Sequence, residues 1–263
     1  MTGRTLRRQP WAAPALLLLT LIGVGALVAA IDAGTQPATA SGAPSQTQVA
    51  KGSALFAEGC ASCHGPAGEG TTDGPSLIGV GAASVDFQVT TGRMPLAAPN
   101  VQAMRKPPSY DREETLALAA YVAALGPGPA IPSGSVVDEW RDASVAKGGE
   151  LFRVNCAQCH NFAGRGGALS DGRYAPSLMS STPLEIYEAM LTGPQSMPVF
   201  ADTSLPPESK AEIIAYIENL KQEPNPGGLD LGRFGPVTEG LFLWTAGMGA
   251  LVAAAIWIGA RVR

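Results

Sequence analysis

Charge, aromatic rings and the residues that do most enzymatic chemistry are all scarce in this chain of 263 residues. Charged side chains make up 15% and the net charge is −4, so there is no basic surface of the kind that nucleic acid requires. No nucleophile–base pair, carboxylate dyad, phosphate loop or nucleotide motif stands out, which leaves no catalytic constellation of the chain's own. Histidine is limited to two residues and cysteine to four. A zinc site would group C-x-x-C pairs around one ion, without a histidine directly after each. A thioredoxin-like site would set C-x-x-C beside a βαβ pattern, and none is visible. A disulfide framework would leave both histidines unexplained.

What is present uses all six of those residues. Cys60-Ala61-Ser62-Cys63-His64 and Cys156-Ala157-Gln158-Cys159-His160 both fit C-x-x-C-H, the attachment motif of c-type haem. Two thiols at this spacing each form a thioether to one vinyl group of the porphyrin, and the adjoining histidine supplies the proximal nitrogen to iron. Two copies that consume every cysteine and histidine predict two covalently bound haem c and one-electron chemistry carried by the cofactor. The aromatic content of 6% is in keeping, since a haem is itself a large apolar core element. Covalent attachment also places these thiols outside the cytoplasm.

Between Val49 and Glu223 the chain repeats itself. Val49-Ala50-Lys51-Gly52 with Leu55-Phe56 recurs as Val145-Ala146-Lys147-Gly148 with Leu151-Phe152, an offset of 96 (145 − 49) that the haem histidines keep (160 − 64). Ala120-Tyr121-Val122 recurs as Ala215-Tyr216-Ile217. Two copies of one module follow, at 49–126 and 145–223, joined by a linker at 127–144 that begins in Pro127-Gly128-Pro129. Each copy reads as helix, haem loop, glycine-rich irregular chain and closing helix. The first closing helix starts at Asp111-Arg112-Glu113-Glu114, where acids suit the helix dipole, and the second follows Pro207-Glu208.

Two apolar runs flank the modules. Arg4, Arg7 and Arg8 precede an uncharged run from Trp11 to Ile31, close to the roughly 20 residues that cross a bilayer. It reads as a signal anchor (1–31) rather than a cleaved signal, with Ala38-Thr39-Ala40 as the cleavage site of that alternative. A flexible tether covers 32–48. After a second linker at 224–239, Gly240 to Ala260 is uncharged and is followed by Arg261 and Arg263. That predicts a transmembrane helix (240–260) with its basic end in the cytoplasm. With arginines inside at both ends, the expectation is a two-span cell-membrane protein. Both termini would be cytoplasmic and the haem modules would lie on the extracytoplasmic, periplasmic side.

The sixth iron position must come from something other than histidine, because none is left, and methionine is the usual partner in cytochromes c. Met94-Pro95 and Met197-Pro198 share a dipeptide in the loops before the two closing helices. Met94 and Met197 are therefore assigned, with His64 and His160, as the iron ligands. Met104 lies in the same loop as Met94 and is its nearest rival, whereas Met190 reads as core filler. Pro75-Ser76-Leu77 and Pro176-Ser177-Leu178 also correspond. A carbonyl there would accept the proximal imidazole's other N–H, or each is an ordinary loop proline; the sequence leaves the two even. Gly52 and Gly148, one turn before Phe56 and Phe152, would let the first helix of each module cross its closing helix closely, beside Tyr121 and Tyr216. A plain core role for those rings is compatible with this.

Each module resembles a class I cytochrome c. The fold implied is all-α, with two tandem class I domains between an N-terminal signal anchor and a C-terminal transmembrane helix. The whole arrangement resembles the dihaem cytochrome c subunit of the actinobacterial cytochrome bcc complex, a menaquinol:cytochrome c reductase. The likeness rests on Gly59-Cys60-Ala61-Ser62-Cys63-His64-Gly65, Tyr174-Ala175-Pro176-Ser177-Leu178, Gly193-Pro194-Gln195-Ser196-Met197-Pro198-Val199-Phe200 and Gly235-Pro236-Val237-Thr238-Glu239-Gly240. It runs from about Ala50 to the C-terminus and implies electron relay from a Rieske iron–sulphur protein, beside a cytochrome b subunit, to an aa3-type oxidase. A dihaem subunit of a cbb3-type oxidase or an alcohol dehydrogenase would not be expected to end in a span with that lead-in. A dihaem peroxidase needs an open iron position, whereas this chain offers a Met-Pro to both haems.

Overall fold

The structure, a computed structural model of the chain, describes residues 12–34, 44–222, 231–233 and 236–261. The N-terminal arginines, Ala38-Thr39-Ala40, the stretch Glu223 to Gly228, and Arg263 lie outside the described residues. The chain divides into two units, Met1–Gly42 and Ala43–Arg263. The first contributes α1 (Ala12–Gly34), within which Leu17–Ala26 is a short apolar stretch.

The second unit holds both repeats. In the first, α2 (Gln46–Gly59) opens on Ser45, whose hydroxyl accepts from the Gln48 N–H while the Gln48 side chain accepts from the Ser45 N–H. It runs into α3 (Ala61–His64), the turn that carries the haem motif. A middle helix α4 (Gly81–Thr90) follows, then α5 (Arg112–Leu125), capped reciprocally by Asp111 and Glu114. The second repeat is built the same way. After α6 (Gly134–Asp138) come α7 (Val145–Asn155), α8 (Ala157–His160), α9 (Pro183–Thr192) and α10 (Pro207–Gln222). Ser144 caps α7, and Thr182 with Glu185 forms a capping box on α9, which has Pro183 in its first turn.

Each repeat has its own core. Phe56, Val89, Leu118 and Val122 form the first, and Phe152, Ile186, Met190, Ile213, Ile214 and Ile217 lead the second. Every such fully buried large side chain contributes about 1.5–3 kcal/mol. The second core reaches back into the stretch 127–144, expected as a linker. Ser133 caps α6 there, and Val137 and Trp140 pack against the second core.

Helices make up nearly all of the regular structure in the described chain, as the all-α expectation requires. The exception is an antiparallel ladder of two-residue strands, β1 (Gly167–Ala168) and β2 (Tyr174–Ala175), with Gly167 opposite Ala175. It occupies the extra chain between the second haem histidine and its Pro-Ser-Leu loop. That separation is 16 residues in the second module against 11 in the first.

At the C-terminal end, α11 (Pro236–Phe242), a π turn (Leu243–Gly247) and α12 (Met248–Arg261) form one continuous apolar helix. Thr238–Arg261 is long and apolar enough to cross a membrane. Leu241, Trp244, Leu251, Ile256 and Trp257 are all more than half exposed, an apolar surface that a bilayer would cover. Its polar group is satisfied internally, since the Thr245 hydroxyl donates to the Leu241 carbonyl at 2.8 Å. The Arg261 guanidinium lies 4.4 Å from the Trp257 ring centroid, an interfacial pairing of cation and aromatic. Only this C-terminal segment meets the length and apolarity of a span among the described residues; the N-terminal one, shorter in its described apolar part, does not.

Candidate functional site

The two motif histidines make the same hydrogen bond. His64 Nδ1 lies 2.8 Å from the Pro75 carbonyl oxygen, and His160 Nδ1 lies 2.9 Å from that of Pro176. A carbonyl oxygen only accepts, so Nδ1 must carry the proton, and the lone pair of each ring is left on Nε2. This resolves the choice that the sequence leaves open: the Pro-Ser-Leu carbonyl is the partner of the imidazole. The loop is fixed for that task. Leu77 N–H donates to the Gly68 carbonyl at 2.7 Å and Leu178 N–H to Gly164 at 2.8 Å, with Ser76 and Ser177 hydroxyls directed to the same two carbonyls. Burial lowers the pKa of His160, with the Pro176 hydrogen bond opposing, so its ring is kept neutral, as a metal ligand requires.

In the second module a cavity of about 260 Å³ collects the predicted residues. Cys156, Cys159, His160 and Met197 all line it, together with apolar Ile186, Met190, Phe200, Ile213 and Ile217. Burial, with Cys159 adding to it, pushes the Cys156 thiol up to about 12, so an unmodified thiol here stays protonated. A cavity with two thiols, a neutral imidazole and a thioether on apolar walls fits covalently held haem. In the first module Cys60, Leu77 and Met94 pack against the Phe56–Leu118 cluster. Met104, the rival of Met94, is 49% exposed and accepts from the Tyr174 hydroxyl at 3.0 Å. Met190 is buried in the second core.

The glycines at the helix crossings act through the backbone. A Cβ on Gly52 would lie 1.9 Å from the Ala117 carbonyl oxygen, and one on Gly148 would lie 1.8 Å from that of Glu212. Beside these contacts the rings of Phe56 and Tyr121 sit 5.1 Å apart, and those of Phe152 and Tyr216 5.3 Å apart, both tilted.

Nothing in the sequence marks how the two modules dock. Gln102, in the loop after Met94, pairs with β2 as a strand would: its amide donates to the Tyr174 carbonyl at 2.7 Å and accepts from the Tyr174 N–H at 3.0 Å. Gln195 does the same to the backbone of Ala103, at 3.0 and 3.1 Å. Arg105 grips Glu185 through both guanidinium nitrogens, at 2.9 and 2.8 Å. Deeper in, Asp86 on α4 and Glu188 on α9 are neighbours, both essentially inaccessible. Asp86 accepts from Arg112 through one oxygen, while neither Glu188 oxygen has a protein hydrogen-bond partner among the described residues. Burial, then the charge of Asp86, push Glu188 up to about 10, with Arg112 opposing, so Glu188 holds a proton at neutral pH.

Comparison with known proteins agrees with this geometry. Residues 49–126 match the family described as Cytochrome c, and residues 143–217 match Cytochrome C oxidase, cbb3-type, subunit III. Over nearly the whole length, the chain is 49% identical to a cytochrome bc1 complex cytochrome c subunit of Corynebacterium efficiens, covering 98% of this chain and 91% of that one. The subunit of that name from Corynebacterium diphtheriae is also 49% identical, over 98% and 96%. The one from Mycobacterium tuberculosis is 46% identical, over 99% and 95%. The cbb3-type match covers one module alone, whereas these relatives match both modules and the flanking segments.

Proposed function

We propose, from the premise that this chain belongs to the family of cytochrome bc1 complex cytochrome c subunits, that it is the dihaem arm of a menaquinol:cytochrome c reductase. In that role it relays single electrons from a Rieske iron–sulphur protein, beside a cytochrome b subunit, to an aa3-type oxidase. The observation that carries the reading is the duplicated pairing of His64 with Pro75 and His160 with Pro176, each directly after a C-x-x-C pair.

Each haem, when bound, supplies a one-electron couple. Cys60 and Cys63 hold the first by thioether bonds, and Cys156 and Cys159 the second. His64 and His160 each present Nε2 to iron, because the Pro75 and Pro176 carbonyls fix the tautomer and turn the ring. Met94 and Met197 would supply the thioether ligands to the two irons, and thioether ligation favours the reduced state, in keeping with an acceptor downstream of an iron–sulphur centre. The apolar walls of the second cavity exclude water from its ligands. The domain limits at 49–126 and 145–223 follow from the repeat. Covalent haem attachment asks for modules on the extracytoplasmic side, and the flanking arginines favour anchoring by both apolar helices with both termini inside.

Haem quantification as the pyridine haemochrome tests the count. The full chain is expected to carry two haem c, and Cys63→Ala and Cys159→Ala should each cost one. A single haem in the parent chain would overturn the dihaem reading.

A further inference from the structure

Arg93 precedes the proposed ligand Met94 of the first module, yet its side chain lines the cavity of the second, with Cys156, Cys159, His160 and Met197. It is 7% exposed, and its Nη1 is buried with no hydrogen-bond partner among the described residues. Its guanidinium carbon lies 4.8 Å from the Phe87 ring centroid, a cation–π contact that brings no counter-charge. Glu185, whose charge acts on Arg93, already receives both terminal nitrogens of Arg105 and the Thr182 N–H. Lys210, equally buried, shows how the chain treats a cation with no outside partner: it meets Asp202 and the Leu205 carbonyl, each at 2.6 Å. A buried cation without a counter-ion costs several kcal/mol, so an anion belongs beside Arg93.

We propose that Arg93 is the carboxylate clamp for the haem of the second module, pairing through its guanidinium, whose Nη1 is otherwise unpartnered, with a propionate of that haem. The cavity holds the attachment cysteines, and the group they attach carries carboxylates of its own. This rests on the dihaem reading above. It makes Arg93 a positioning residue that joins the two sites within one dipeptide: Met94 serves the first iron and Arg93 the second haem. Oxidation adds one positive charge to a haem site, so a fixed cation beside it favours the reduced state.

The test is a potentiometric titration of the c-type band in the purified full complex, with haem quantified as the pyridine haemochrome. The wave of the second module is the one that Met197→His moves. Arg93→Gln is expected to shift that wave to lower potential, to leave the other wave in place and to retain two haems per chain. Arg93→Lys, which keeps the charge, is expected to restore most of the shift. An unmoved second wave in Arg93→Gln, or a shift confined to the first wave, would overturn the clamp. So would a parent potential that changes with inorganic phosphate at fixed ionic strength, because the anion would then come from solvent. One haem per chain, or no wave moved by Met197→His, would overturn the dihaem or ligand reading itself, and the clamp with it.

Discussion

Gly148 on α7 faces the backbone of Glu212 on α10 so closely that any side chain on it would occupy the space of the Glu212 carbonyl, a Cβ lying 1.8 Å from that oxygen. The first module repeats the contact between Gly52 and Ala117, at 1.9 Å. The crossing positions Phe152 over Tyr216 and delivers Cys156 to the cavity at the end of α7. Gly148→Ala should force the helices apart at a cost of about 1–3 kcal/mol or more. The expected outcome is loss of haem from the second module, read as a fall from two haems per chain to one. Gly249→Ala, in an open position on α12, should change nothing.

Replacing Met197 by Ala is expected to remove one of two methionine-to-iron charge-transfer bands in the near infrared, and replacing Met94 by Ala the other. Met104→Ala should leave both, because Met104 is exposed and engaged by Tyr174. A Met94→Ala protein with both bands intact would remove Met94 from the ligand set.

Glu188 gives the modules a pH dependence of defined sign. Below the ordinary glutamate value of 4.5 both folded and unfolded chains hold the proton, and the group costs nothing. Between there and about 10 the unfolded chain releases the proton while the fold retains it, so stability falls as pH rises. The slope is at most about 1.4 kcal/mol per pH unit, or roughly 3 kcal/mol by neutral pH. Glu188→Gln should therefore match the parent's thermal midpoint in acid and exceed it increasingly towards alkaline pH. An advantage that shrinks as pH rises would contradict the protonated assignment.

The Arg105–Glu185 pair should be worth about 1–2 kcal/mol of coupling, being bidentate with Glu185 mostly buried. A double-mutant cycle of Arg105→Ala and Glu185→Ala, followed by thermal denaturation, measures it. Glu185→Ala alone should cost more than Arg105→Ala, because it also removes half of the α9 capping box.

What could be read from the chain was what is local or repeated. The attachment motifs and the Gly52–Phe56 spacing each lie within a turn or two of sequence, and duplication set them above background; the acidic start of α5 at Asp111 was legible without a duplicate. The Pro176 carbonyl was one of two even readings, since a backbone acceptor has no side-chain signature. The docking of the modules left no mark because its partners are far apart: Gln102 meets Tyr174 and Ala103 meets Gln195, separated by 72 and 92 residues. Both contacts use backbone groups that any sequence offers. Asp86 and Glu188 look in sequence like ordinary acids on amphipathic helices, and only the packing of α4 on α9 makes them a buried pair. Val137 was hidden in the same way, in a stretch whose prolines and glycines read as linker.

Tagging the chain, purifying it from its own membranes in mild detergent and recording a reduced-minus-oxidised spectrum asks whether it works as the haem-bearing arm of a quinol-oxidising complex. Bands of b-type and a-type haem are expected to accompany the c-type signal. A c-type signal alone, from an intact and fully haem-loaded chain, would remove it from such a complex.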